Sequence, residues 1–426
     1  MRSRTTRLAL GVMALASTTA VLLGRQSGVP AWHSVWAEDG TIFLTEALNE
    51  PLLSTIFQPH NGYMLLFPRV AAEIVTLAPL TDAAWLIAVI ASFAVGSVAV
   101  FVFHASSVAL SHQASRAALA AGVVLLPSAG FETTANLANL HWYLIFGCFW
   151  ALLVHRSSPG ILAARTVLAF LAPLCNPIAA FLTPLLFLGR SGRPYRLEQL
   201  PKLAFLVGLA TQLVVVVQAP NDSSDGITSP FSPLDLPQIF AVRVAGSFLI
   251  GDRFVGLAAS NLGVAFELGA ILLLGLILGW AVRGLDRARR KIALLALCAA
   301  FTSYIVPLAT RGTSEIWPAA DAPGLGGSRY FILPILFLLV VLLIGVDARL
   351  SAPPSQSRTI LVSAAALWLV SLAFLNYSIA NPRSPGPNWR TSLAEARQVC
   401  RTGPSAFVNV PIAPGGPWSV TIPCRR

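Results

Sequence analysis

The chain has 426 residues, of which 55% are hydrophobic and only 11% charged, and its mean hydropathy is +0.71. Soluble globular proteins carry roughly 25% charged residues, so the composition excludes a water-soluble enzyme and a disordered protein. It also argues against a nucleic-acid-binding protein, although the net charge is +11. We predict an all-α polytopic membrane protein, since about 20 apolar residues form a helix that spans a bilayer.

Apolar stretches, taken in chain order, predict the membrane helices. They lie at about 5–24, 83–103, 114–128, 138–154, 203–219, 262–282, 292–310, 329–346 and 359–377. A further apolar region, 160–189, is interrupted by Pro173 and by Asn176-Pro177. Because proline removes a backbone donor and clashes one turn back, this region is either one kinked span or a hairpin of two short helices.

The distribution of charge favours the hairpin, because basic residues concentrate in short cytoplasmic loops. With the N-terminus inside and 160–189 as a hairpin, the inner segments hold 17 basic and 3 acidic residues, and the outer segments hold 12 and 15. A single span would instead place the basic clusters 190–202 and 283–291 on opposite faces. The prediction is about eleven membrane helices, with the N-terminus cytoplasmic and the C-terminus extracytoplasmic.

Two further points concern the origin and the N-terminus of the chain. Only Lys202 and Lys291 are lysine among the 29 basic residues, which favours a GC-rich bacterial genome and hence a bacterial plasma membrane. The basic start and apolar run of the first span also fit a signal peptide. The span is long for a signal core and no A-x-A site follows it, so we interpret it as a membrane helix.

Three predicted outer segments are too long to be simple connectors. Two are loops of the transmembrane domain 1–378, namely 25–82 and 220–260, and the third is the C-terminal tail 379–426. The inner loops are short and basic. Any chemistry is therefore expected at the outer membrane–water boundary.

Within the first outer loop, 41–49 and 63–78 are predicted to form amphipathic helices that lie in the membrane interface. Arg69 and Glu73 are four residues apart, so they are expected to form either a surface ion pair or, in the case of Arg69, a phosphate contact. The apolar stripe of the second helix comprises Leu65, Leu66, Val70 and Ile74.

Glu38-Asp39-Gly40 is the sharpest local signal in the same loop. Two adjacent carboxylates before a glycine are suited to holding one carboxylate over a lipid headgroup as a base. The alternative is that Asp39 caps the 41–49 helix by accepting bonds from its free amides.

Other polar candidates lie near predicted outer helix ends. Glu132, Asn136 and His141 form one group, and His60 and Asn61 lie at an Asn-Gly turn. Polar groups at membrane depth are functional candidates, although they also bond neighbouring helices.

Arginines near the outer ends of spans are candidates for binding phosphate. Arg329 begins a span and suits bidentate phosphate binding; alternatively it anchors the span together with Tyr330 in the aromatic belt. Arg243 and Arg253 in the second outer loop are further candidates of the same kind.

The five cysteines divide into two groups. Cys148, Cys175 and Cys298 lie in predicted spans and are expected to be small core residues. Cys400 and Cys424 both lie in the outer tail, where they flank two strand-like segments, SAFVNV and WSVTIP. An oxidising compartment permits a disulfide between them.

This arrangement resembles the GT-C superfamily of integral-membrane glycosyltransferases, which use polyprenyl-phosphate sugars. The resemblance covers nearly the whole chain as architecture and rests on WAEDG (36–40), PHNGYMLLFPR (59–69) and SRYF (328–331). It implies transfer of a hexose or pentose from a polyprenyl-phosphate donor to a glycan or glycolipid acceptor at the outer face. No cofactor is predicted. The chain lacks an Asp-x-Asp pair, which leaves binding of a divalent metal open.

The resemblance also implies roles for individual residues. Asp39 or Glu38 would be the base, and Arg329 and Arg69 would bind the donor phosphate. The substrate cleft would comprise His60, Asn61, Glu132, Asn136 and His141.

Two other classes of function stay open. One is a transporter or lipid flippase without glycosyl transfer, which predicts ionisable residues at mid-membrane and repeat symmetry between the halves. Glu267 is the only carboxylate well inside a predicted span. The other is a non-catalytic subunit of a membrane assembly.

Overall fold

A computed structural model describes residues 4–155, 157–188, 196–219, 231–313, 326–351 and 355–424. These residues are mostly helical, and seven helices are long and apolar enough to cross a membrane. Five shorter apolar helices accompany them. The number and apolarity of the helices are those of a multi-pass membrane protein.

The helices and strands are named here in chain order. The α-helices of the first half are α1 Arg4–Leu23, α2 Thr45–Asn49, α3 Leu52–Phe57, α4 Leu66–Thr76, α5 Ala83–Ala105, α6 Gln113–Leu125, α7 Ala129–Glu132, α8 Leu140–Leu153, α9 Pro159–Cys175 and α10 Leu200–Gln218. Those of the second half are α11 Leu236–Ile239, α12 Ser247–Ile250, α13 Asp252–Leu262, α14 Val264–Val282, α15 Arg287–Arg311, α16 Ile332–Leu350, α17 Gln356–Leu375 and α18 Trp389–Thr402. The antiparallel strands are β1 Phe407–Pro411 and β2 Ser419–Pro423.

Tighter and wider helical turns complete the described structure. The 3₁₀ helices are Ala31–His33, Leu80–Asp82, Ser106–Val108, Pro177–Phe187, Arg196–Gln199, Pro233–Asp235 and Ser328–Phe331. The π-helical segments are Asp39–Leu44 and Phe240–Gly246.

Helix α16 lies at the centre of the bundle. Of its most apolar 18 residues, 94% are buried. Phe337, in its N-terminal half, packs against the rings of Phe146 and Phe149 of α8 at centroid distances of 5.4 and 5.0 Å. The near-continuous apolar sequence of α16 follows from this position, since a helix surrounded by other helices has no polar face.

The bundle has two distinct ends. At the loop end, segments distant in sequence bond to one another, as when Arg25 donates to the carbonyl of Leu126 at 2.9 Å. At the basic end, Asp347 accepts from the amide of His112 at 2.8 Å and pairs with Arg289 at 3.1 Å. The loop end comprises residues 24–82, 126–139, 311–313, 326–331 and 376–424, and the basic end comprises 106–116, 155, 157–165, 283–291, 347–351 and 355–358.

The interrupted apolar region forms two antiparallel arms. Helix α9 reaches the loop end, where Cys175 Sγ accepts from the amide of Phe67 at 3.4 Å. Asn176 then ends the helix, and the following 3₁₀ helix returns to the other end. There, Lys202 Nζ donates to the carbonyl of Leu186 at 2.6 Å. These contacts agree with a hairpin and not with a single kinked helix.

The helical segment Pro233–Ile250 is long and apolar enough to cross a membrane, but the sequence places it in the second outer loop. Near its start, Asp235 accepts from Thr313 Oγ1 at 3.1 Å, and just after its end Asp252 accepts from Ser128 Oγ at 3.3 Å. Both partners belong to the loop end. The segment therefore lies across that end.

The first loop contains helices within both predicted segments, but the ion pair predicted between Arg69 and Glu73 is wrong. Arg69 is buried and pairs with Glu46 of α2, while Glu73 accepts from the hydroxyl of Thr55. The physical reason is the orientation of α4. Val70 and Ile74 of its apolar stripe face outward, with Ile74 50% exposed, so its polar side packs against α2 and α3.

The structure confirms the disulfide between Cys400 and Cys424, whose Cα atoms are 5.2 Å apart. It links α18 to the residue that follows β2. The two predicted strands are also present and pair in antiparallel register, with Val408 opposite Ile422.

The orientation of the bundle is tested by cysteine labelling at position 191, which lies outside the described residues. We expect Ser191→Cys, in a Cys298→Ala background, to resist an impermeant thiol reagent in intact cells, because the neighbouring arginines favour the cytoplasm. The control is Ser54→Cys in the first outer loop, which should label. Efficient labelling at 191 would overturn the predicted orientation.

Candidate functional site

A cavity of about 780 Å³ opens at the loop end. Its walls come from the first loop, the start of α8, the break after α9, the end of α15, the start of α16 and the tail. Five of the candidates predicted from the sequence line it: Glu38, His60, Asn61, His141 and Arg329.

Glu38 presents the only carboxylate among the residues that line this cavity. Its side chain is partly exposed and makes no hydrogen bond to any described residue. Glu38 lies close enough to Arg329 for their opposite charges to attract. A carboxylate in this situation retains its lone pairs for accepting a proton or a hydroxyl hydrogen bond.

Asp39, the adjacent residue, faces away from the cavity and is completely buried. Its two oxygens accept from the backbone amides of Leu137 and Ala138 at 2.9 and 2.8 Å. Asp39 thus does not cap the helix that follows it, as the sequence suggested, but holds the turn before α8. Burial raises the pKa of Asp39 to about 7, because desolvation outweighs the two amide bonds and the charge of Arg383.

Gly40 leaves room for the C-terminal tail. A Cβ atom at this position would lie 2.4 Å from Ile412 Cδ1 and 2.8 Å from Val420 Cγ2. The preceding Ala37 has a φ of +29°, a sparsely populated conformation, and its amide donates to Ala413 at 2.7 Å. The β-hairpin of the tail therefore packs directly behind the acidic pair.

Arg329 is oriented by Glu132, which does not line the cavity. Glu132 accepts from the amides of Gly327 and Arg329, both at 3.1 Å, and its carboxylate lies 3.6 Å from the guanidinium. Asn136 also lies behind the cavity wall, where its Oδ1 accepts from the amide of Asn139 at 3.1 Å. Both predicted cleft residues thus support the wall.

Arg69 does not reach the cavity. It is buried against Glu46 and the carbonyl of Thr55, and the ring of Phe43 lies between it and the open space, 5.7 Å from its guanidinium carbon. Phe43 itself lines the cavity.

The two histidines that line the cavity, His60 and His141, differ in their local structure. The Asn61-Gly62 turn has positive φ at both positions, and His60 and Tyr63 exchange backbone hydrogen bonds of 2.9 and 3.2 Å across it. His141 is buried, with Nδ1 2.9 Å from the carbonyl of Ala138 and no hydrogen-bond partner for Nε2 among the described residues.

Several lining residues were not predicted as site residues. The most important is Arg311, which ends α15 and lies close to the hydroxyl of Tyr63. Its signal in the sequence is its position at the start of the polar stretch that leads to Arg329. Trp418 gave no such signal, because it reaches the cavity only through the folding of the tail. The remaining aromatic walls are Phe43, Trp142 and Tyr330.

Among the described residues, no three histidine, cysteine or acidic side chains lie close enough together to hold a metal ion. No family model matches the chain, and no curated protein matches it in sequence. The geometry of the cavity therefore carries the functional argument.

The burial of Asp39, which lies outside the membrane helices, predicts a pH effect on stability. Because its pKa is about 7 when folded against 3.8 when solvated, its contribution is complete below about pH 4 and is lost as the pH rises through 7. The melting temperature of wild type minus that of Asp39→Asn should therefore fall between pH 5 and pH 8. The surface variant Asp82→Asn is the control. A difference that grows with pH would contradict the assignment.

Proposed function

We propose that the protein is a membrane glycosyltransferase of the GT-C superfamily. It would move a sugar from a polyprenyl-phosphate donor to a glycan or glycolipid acceptor of the cell envelope. The observation that supports this is the cavity itself, in which one carboxylate, Glu38, shares a partly aromatic pocket with two arginines, Arg311 and Arg329.

In the proposed reaction the carboxylate of Glu38 accepts a proton. The acceptor hydroxyl oxygen attacks the anomeric carbon of the donor sugar, and the bond between that carbon and the phosphate oxygen breaks. The hydroxyl proton passes to Glu38, which acts as general base. Both oxygens of Asp39 accept hydrogen bonds from backbone amides. Glu38 is therefore the proposed base, and Asp39 is a positioning residue.

The two arginines serve the departing lipid phosphate. Charge on its oxygens increases as the glycosidic bond breaks, and preorganised donors stabilise that charge in the transition state. Arg329 is held by Glu132, and Arg311 lies close to the hydroxyl of Tyr63. Arg311 thus takes the place that the sequence suggested for Arg69.

The other walls suit the sugar and the lipid. Trp142, Tyr330 and Trp418 offer flat apolar surfaces, and Asn61 offers amide hydrogen bonds. Val306 and Pro307, near the end of the apolar helix α15, form an apolar part of the wall. This arrangement suits a donor whose lipid tail lies in the bilayer and whose sugar lies in the cavity.

The proposed orientation places the loop end outside a bacterial plasma membrane. The described arginines that the charge distribution assigns to the cytoplasm, such as Arg165 and Arg289, lie at the basic end, which supports this orientation. No nucleotide sugar is supplied on the outer side, so an activated sugar there must be carried by lipid.

A transporter without chemistry has less support. It predicts an ionisable group at mid-membrane, and Glu267 was the candidate. Glu267 lies in the first turn of α14 and accepts from Gln238 at 2.9 Å. Gln238 belongs to the segment that lies across the loop end, so Glu267 is close to that end.

Glu38→Gln tests the base directly. The substitution keeps the shape of the side chain but removes its capacity to accept a proton, so transfer of labelled sugar from polyprenyl-phosphate hexose and pentose donors should fall by about 10²–10⁴-fold. The melting temperature should stay close to that of wild type, because the Glu38 side chain makes no hydrogen bond within the described part of the chain. Undiminished transfer by this variant would remove Glu38 from the mechanism.

Binding of the donor phosphate is tested separately, with a short-chain polyprenyl phosphate and protein in lipid nanodiscs. Arg311→Gln should weaken binding by about tenfold or more, since a charge-assisted hydrogen bond contributes roughly 1.5–3 kcal/mol. The matched control is Arg390→Gln, which breaks an exposed ion pair with Asp82 at the loop end. Equal affinity of Arg311→Gln and wild type would contradict the phosphate site.

A further inference from the structure

A second groove, of about 400 Å³, lies on the side of the bundle. It runs between α6, α16 and α17, and its lining is almost entirely apolar. Along α16 it extends from Ile335 to Leu350, on the order of 22 Å at 1.5 Å per residue. It shares no lining residue with the cavity at the loop end.

The groove exists because small side chains face one another across it. On α6 and α17 these are Ala114, Ala118, Ala121, Gly122, Ala365 and Ala366. None of the 18 residues Arg358–Leu375 of α17 is buried. Helix α17 is held mainly near its C-terminal part, where Trp368 donates to the carbonyl of Leu249 at 2.8 Å and Asn376 accepts from the amide of Arg253 at 3.0 Å.

Positive charge lies at one mouth of the groove. Arg358 occurs four residues before Val362 on α17, so it continues the stripe that lines the groove. Arg349 of α16 lies close enough to Arg358 for their charges to repel. Arg349 donates to the carbonyl of Gly345 at 2.9 Å and stacks on Trp280, contacts that leave its positive charge in place.

The nearest buried carboxylate does not neutralise this mouth. Asp347 is directed to the other side of α16, where it accepts from the amides of Ser111 and His112 and pairs with Arg289. The groove therefore joins an apolar channel to a pair of adjacent arginines at the basic end.

We propose that this groove is a binding site for one anionic phospholipid, with an acyl chain between α6, α16 and α17 and the phosphate at Arg349 and Arg358. The length fits, because a chain of one leaflet reaches through about half of the ~30 Å hydrocarbon core. The charge favours an anionic headgroup over a zwitterionic one, as in other basic pockets between membrane helices. The lipid supplies the packing that α17 lacks.

Native mass spectrometry of the full chain in detergent tests this site with phosphatidylglycerol and phosphatidylcholine as probes. Wild type should retain one phosphatidylglycerol in preference to phosphatidylcholine. Arg358→Gln should weaken phosphatidylglycerol retention by about fivefold, the order expected for one arginine at an anionic lipid surface. Ala366→Trp, which fills the groove, should abolish retention of the bound lipid.

Leu367→Trp is the matched control, since Leu367 is the neighbouring residue, 68% exposed on the outer side of α17, and does not line the groove. It should retain the lipid as wild type does. Equal retention by the Ala366→Trp and Leu367→Trp variants would overturn the site, and so would equal retention of the two lipids by wild type. Arg358→Gln is measured independently, so its result stands even if Ala366→Trp fails to fold.

Discussion

Backbone polar groups that are buried near a membrane interface must find partners, and at the loop end two side chains provide them. The guanidinium of Arg383 is buried and donates only to oxygen atoms of neighbouring segments. The carboxylate of Asp39 accepts two amides from one of the same segments. Together they join the first loop, the turn before α8 and the tail. The carbonyl oxygens bound by Arg383 belong to Ala31, Ser34, Thr134 and Ala135.

This junction explains why three consecutive residues have three different roles. Glu38 faces the cavity because Asp39 is fixed to the turn before α8 and Gly40 admits the β-hairpin of the tail. The motif could be recognised from the sequence, but the direction of each side chain could not. Asp39 and its partner Leu137 are 98 residues apart, and no local pattern encodes that contact.

The parts of the fold that follow from local physics were predictable. Apolar length located most of the helices. The charge distribution favoured the hairpin that Pro173 and Asn176-Pro177 made possible. The presence of Cys400 and Cys424 in one tail indicated the disulfide. The contacts of the arginines were harder to predict, because the sequence around an arginine near a helix end does not show which group the arginine binds. Arg69 forms an ion pair with a carboxylate, Arg383 donates to carbonyl oxygens, and Arg311 lines the cavity. Only tertiary packing determines which of these contacts each arginine makes.

The distribution of charge at the cavity now has a consistent explanation. Two carboxylates, Glu38 and Glu132, lie in the field of Arg329, and Glu132 takes both the backbone amides and the ion pair. Glu38 is therefore left with a partner close enough to attract it, and no described residue donates a hydrogen bond that would occupy its lone pairs. Arg311, which forms no ion pair among the described residues, adds a second positive charge. A pocket with two cations and one such carboxylate suits a pair of substrates, one that carries a phosphate and one whose hydroxyl loses a proton, as in the proposed transfer of a sugar from a lipid phosphate to a hydroxyl.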